Sequence, residues 1–200
     1  MTVAQHLLQL KEDLDRVYQT GMERSRQAFA DSYQEQGNLT NYYQRFVHSG
    51  WNEETFAYIR YPVVCKGGSA NGSNVFTRCW IRHIHVPVIL EGVPAQETFY
   101  YATLLEEISK LVLIDVPSFT RTFQGCTKLR HMPVEGSIDA SFNIASAAEL
   151  DEESRQSIIS CLKDLTGEAQ QTLTFHAAAG EKLTPEQKVA VTEKNWELVY

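Results

Sequence analysis

Apolar positions in the middle third of the chain recur at steps of three. Phe99, Ala102, Leu105 and Ile108 form one set, and Phe123, Cys126, Leu129 and Met132 form a second set 24 residues further on. A slipped copy stands 23 residues upstream of the first as Phe76, Cys79, Ile81 and Ile84. Units with a period of roughly 20–29 residues cannot bury such a set alone and do so by stacking on their neighbours. The ladder therefore predicts a short β solenoid over residues 75–149, an architecture suited to a scaffold or a binding surface.

A different periodicity opens the chain. Val3, Leu7, Leu10, Leu14 and Val17 follow the 4-3-4-3 spacing that keeps one apolar seam of a helix facing a partner helix. The pattern ends where Gly21 and Arg24 occupy seam positions. A second helix is expected from about Met22 to Gln36, with Phe29 and Tyr33 one turn apart and Gly37-Asn38 as its stop. No downstream helix of similar length offers the seam a partner, so its burial is expected on other copies of the chain. Residues 1–37 thus read as oligomerisation or docking helices.

Residues 38–74 read as an aromatic linker. Thr40 and Asn52 look like caps of short turns around Tyr42, Phe46, Trp51, Phe56 and Tyr58, and Pro62 ends the segment. The run KGGSANGSN from Lys66 to Asn74 reads as an exposed turn, without the Gly-Lys-Ser/Thr ending of a phosphate-binding loop. Residues 150–200 read as an α/β cap over the last rung. Asp151 begins a helix through about Leu165, with Ile158, Ile159, Leu162 and Leu165 on its buried face. Thr172 to His176 alternates as a strand, Thr184, Pro185 and Gln187 open a helix through about Asn195 as a capping box, and Trp196 to Tyr200 gives a last strand.

Composition changes this picture mainly by exclusion. At 43% apolar, 200 residues can support a core, and a formal charge of −7 without a basic stripe argues against nucleic acid as a partner. The first residues resemble no secretory signal and no apolar run approaches the ~20 residues of a bilayer span, so synthesis in the cytoplasm without a signal peptide is expected. Cys65, Cys79, Cys126 and Cys161 lie far apart, and two of them take a repeat position that Ala102 fills in the intervening copy. They read as free structural thiols. Cys79, His83, His85 and His131 do not form the two closely spaced ligand pairs of a zinc site, so neither metal nor cofactor is expected. The carboxylate pairs Glu106-Glu107 and Glu152-Glu153 read as solvated. Neither G-x-S-x-G nor H-E-x-x-H occurs, so the chain is not expected to be an enzyme.

What remains as candidate chemistry is outward-facing. Trp80, Arg82, His83, His85, Arg130 and His131 combine aromatic, cationic and hydrogen-bonding groups and form a candidate recognition or assembly surface, against the plainer reading of solvated residues beside a subunit contact.

The stretch SFTRTFQGCTKLRHMPVEGSIDASFNI, the LDEESRQSIISCLKDL helix, the TLTFH strand and the LTPEQKVAVTEKNWELVY ending resemble BspA-type leucine-rich repeat proteins. More narrowly, they resemble the tail-associated proteins of phages and prophages. AFADSYQEQGNLTNYYQRFVHSGWNEETF is similar to the helix-plus-aromatic linker that such proteins place before their repeats. The resemblance implies an α+β chain: a coiled-coil-like helix, a short leucine-rich-repeat-like β solenoid, and an α/β cap. It also implies a structural role in a virion tail, at a baseplate or tail fibre, as a homotrimer that meets other tail proteins and contributes to host attachment through a surface protein or glycan. The alternative is a protein-binding repeat module of bacterial or prophage origin outside a virion. No catalytic residues come with the resemblance.

Overall fold

Hydrophobic burial organises the described part of the chain around one column of phenylalanines. The structure is a computed structural model that describes residues 3–35, 46, 53–57, 59–60, 62–66 and 73–200, with side chains of the first helix described for residues 9–24 and 27. The expected caps at Thr40 and Asn52, the stop at Gly37-Asn38, most of the Lys66–Asn74 turn, and the side chains of Val3, Leu7, Phe29 and Tyr33 lie outside the described residues. The chain divides into two compact units, Met1–Gly37 and Asn38–Tyr200.

The first unit is one helix, α1 (Val3–Glu35). The two helices expected here are continuous. Gly21 has open space around it and only weakens the helix, by about 1 kcal/mol relative to Ala, amid Gln, Glu, Leu, Arg and Ala that favour helix. Among the described residues no helix is long and apolar enough to cross a membrane.

In the second unit, α2 (Glu53–Phe56) and β1 (Val63–Lys66) precede the ladder. Next come β2 (His83–Ile84), β3 (Val88–Glu91), β4 (Glu107–Ile108), β5 (Leu111–Ile114), β6 (Val134–Gly136) and β7 (Phe142–Ile144). The tail supplies α3 (Glu152–Cys161), β8 (Gln171–Phe175), α4 (Ala177–Gly180), α5 (Pro185–Glu193) and β9 (Trp196–Val199).

The expected β solenoid is not what forms. The chain is a mixed α/β fold whose strands, two to five residues long, pair in parallel within three separate sheets ordered β1-β3-β5-β6, β2-β4 and β7-β8-β9. The reason lies in where the ladder falls. Phe99, Ala102 and Leu105 sit in turns and irregular backbone, and only Ile108 of that set is in a strand, so the apolar period marks packing and not a continuous sheet.

As packing, the ladder forms as read. All twelve ladder side chains are buried. The rings of Phe46, Phe76, Phe99 and Phe123 stack in sequence at centroid distances of 4.8, 5.3 and 5.3 Å with planes within 12° of parallel, and Phe142 closes the column at 5.5 Å with a 53° tilt. Cys126 donates its thiol to the Phe99 carbonyl of the preceding copy at 3.0 Å. Burial pushes the Cys65 thiol up to about 12 and that of Cys79 to about 11, and it raises Cys126 and Cys161 as well, so these thiols stay protonated at neutral pH.

The tail follows its local signals with shorter elements. Asp151 caps α3 by accepting from the Ser154 N–H at 2.9 Å, and Leu162 leaves the helix in extended conformation, so Leu162 and Leu165 are buried outside it. Thr184 and Gln187 form both halves of the capping box of α5. The strands expected at Thr172–His176 and Trp196–Tyr200 are β8 and β9, paired in parallel with Gln171 opposite Trp196. The one-turn helix α4 carries no periodic signal of its own.

Candidate functional site

Parallel pairing brings most of the candidate patch into one row. In β2 and β4, His83 lies opposite Glu107, and Glu107 in turn bridges to His131. The residues just before these, Arg82, Glu106 and Arg130, form the adjacent row. Basic and acidic side chains alternate along both, because a 24-residue step carries Arg82 to Glu106 to Arg130 and His83 to Glu107 to His131.

The side chains use that alternation. Arg130 reaches Glu107 at 2.6 Å and Glu106 at 3.6 Å, and Arg82 reaches the other oxygen of Glu106 at 3.9 Å. At each end stands a carboxylate–imidazole pair: Glu53 Oε1 lies 2.8 Å from His83 Nδ1, and Asp151 Oδ2 lies 2.7 Å from His131 Nδ1. A carboxylate oxygen only accepts, so both Nδ1 atoms carry the hydrogen.

The backbone of this row has a repeated feature. One carbonyl accepts two successive N–H groups of the next copy: Arg82 O takes Glu106 and Glu107 at 2.8 and 3.0 Å, and Glu106 O takes Arg130 and His131 at 2.9 and 3.3 Å. The column ends where Arg130 O accepts the Asp151 N–H at 2.8 Å. At the other end Glu53 Oε2 accepts the Arg82 and His83 N–H groups at 2.7 and 3.3 Å.

Two carboxyls are tuned by this geometry. Burial pushes Glu53 up, but the Arg82 N–H, the His83 ring and the His83 N–H outweigh it and hold the group below the usual carboxylate range. Burial likewise opposes ionisation of Asp151, and the Ser154 hydroxyl, the His131 ring and the Ser154 N–H overcome it. Ser154 Oγ also accepts from the Met132 N–H at 2.7 Å, which ties α3 to the row.

The remaining candidates stand apart from the charge row. His85 donates through Nε2 to the Ile59 carbonyl at 2.6 Å and meets Phe56 edge-on at 5.4 Å, so it holds the segment after α2 against the ladder. Trp80 is 57% exposed, a single outward ring. Among the described residues no three His, Cys, Asp or Glu side chains converge to hold a metal ion. Sequence reasoning found the cations of the row and missed the anions. Glu53, Glu106, Glu107 and Asp151 are its internal partners; the alternation at 24 residues signals Glu106 and Glu107, whereas Glu53 and Asp151 lie off that step.

No family model, curated protein or solved structure matches the chain.

Proposed function

We propose that the chain is a structural component of a bacteriophage tail, of baseplate or tail-fibre type, that assembles as a parallel homotrimer through α1 and contributes to host attachment. The observation that carries the assembly half is the seam of α1. Leu10, Leu14 and Val17 are 49, 73 and 70% exposed along one stripe, and Tyr18 widens it one turn from Leu14. Thirty-three residues make a rod of about 50 Å, and an apolar stripe on it loses roughly 25 cal/mol for each Å² left in water. Association of copies recovers that loss. In the heptad, Leu7 and Leu14 take the a positions and Val3, Leu10 and Val17 the d positions, and Leu at a with β-branched residues at two of three d positions departs from the β-branched-a, Leu-d pattern of two-stranded coils.

The tail half of the reading is supported by the resemblance of residues 118–144, 150–165 and 183–200 to tail-associated proteins. The internally satisfied charge row fits a stiff structural part, because its cations already have partners and offer little net charge to a ligand. Attachment would then use the exposed ring of Trp80 more than the histidines. Immunogold labelling of purified particles with antibody to this chain tests the assignment. Gold at a defined level of the tail is the expected result, and particles that carry none of the chain would overturn it.

A further inference from the structure

We infer that Glu53 is an acid-labile end cap, a side chain that takes the place held by a backbone carbonyl at the other levels of the hydrogen-bonded column. One pattern is repeated at three levels. Arg82 O receives the N–H pair of Glu106 and Glu107, Glu106 O receives the pair of Arg130 and His131, and Glu53 Oε2 receives the pair of Arg82 and His83 at 2.7 and 3.3 Å. An exposed strand edge leaves its N–H groups without acceptors, and here a carboxylate supplies one with charge-assisted bonds.

The segment that carries Glu53 is built to deliver it. Phe56, three residues on, is buried edge-on to Phe46 and Phe76 at 5.6 and 6.0 Å, and Ile59, three further, is buried and bound through its carbonyl to His85. Phe56 and Ile59 thus anchor α2 without Glu53, which leaves the carboxylate free to act as a cap whose loss is local.

Protonation weakens the cap by removing its charge. Oε2 faces two N–H donors and Oε1 faces the Nδ1–H of His83, so a proton on the open side of Oε1 leaves the contacts in place but strips them of the charge that strengthens them. The charged and titratable groups around it are His83 and Arg82 on and beside β2, Glu106 and Glu107 on the next level, and the Cys79 thiol, which the Glu53 charge pushes up. Because the folded carboxyl sits below its ordinary value, the cap is at full strength above the ordinary carboxylate range and weakens as pH falls through the folded value.

Amide hydrogen exchange, resolved by residue on the full chain, tests this, with the Glu106 and Glu107 amides as internal reference. In Glu53→Ala the Arg82 and His83 amides are expected to exchange roughly tenfold or more faster than in the wild type, while the reference amides hold. Glu53→Gln keeps an acceptor oxygen without the titration. Its Arg82 and His83 protection, relative to the reference, is expected to stay flat between pH 6 and 3, where that of the wild type falls. Wild-type protection of Arg82 and His83 in Glu53→Ala would overturn the inference. So would a Glu53→Gln variant that follows the wild-type acid loss, and that series decides the matter alone if the alanine variant does not fold.

Discussion

At the scale of single residues, the molecule spends its apolar side chains on a column and its charged ones on a row beside it. Phe123 is the clearest test of the column, since its ring lies between Phe99 at 5.3 Å and Phe142 at 5.5 Å and is fully buried. Phe123→Ala removes both contacts and leaves a cavity between rigid neighbours, which should cost about 3–5 kcal/mol and lower the melting temperature by roughly 10 °C. A variant that melts within a degree or two of the wild type would show that the ring is not held in a column. The ladder residues were legible because a step of three within copies and 24 between them places identical chemistry at stacked positions. The charge row was equally available in Arg82, Glu106 and Arg130. The pairing is hidden because adjacent carboxylates such as Glu106 and Glu107 look solvated until a parallel register sets an arginine from each side against them.

At the scale of elements, turns decide the architecture, and turns were the hardest part to read. Left-handed backbone recurs four residues apart at Asn74 and Arg78, at Glu97 and Tyr101, and at Arg121 and Gly125. Only one of these six residues is glycine, so the usual punctuation of the chain is absent and the ladder looked more like strand than it is. Helix starts were legible where capping chemistry is local, as at Asp151 and Thr184. Their ends were not, because Leu162 continues the apolar pattern after the backbone has left α3. Two glycines separate backbone need from space. Gly136 has φ +101°, and a Cβ there would lie 1.9 Å from the Leu113 carbonyl oxygen of the paired strand, whereas Gly92 has φ +63° and open surroundings. Gly92→Ala is expected to cost about 1–2 kcal/mol, the strain of a left-handed residue alone. Gly136→Ala should prevent folding or lower stability by clearly more, read by urea unfolding of the two variants side by side. Equal midpoints would mean that the β5–β6 register is wrong.

At the scale of the whole molecule, labour is divided between α1, which exposes an apolar seam, and a body whose charge row is paired internally. The seam was legible from five residues at 4-3 spacing. Its extension into one 33-residue helix was not, because Gly21 and Arg24 break the apolar pattern without breaking the backbone hydrogen bonds. Leu10→Asp places a charge in the middle of the seam and should shift the species toward single chains without lowering the melting temperature of the body. The most direct test is the mass of the wild-type chain in solution by light scattering across a concentration series. The account predicts a species of three 22.7 kDa chains that dissociates on dilution or with Leu10→Asp. A single 22.7 kDa species that persists at high micromolar concentration would contradict it.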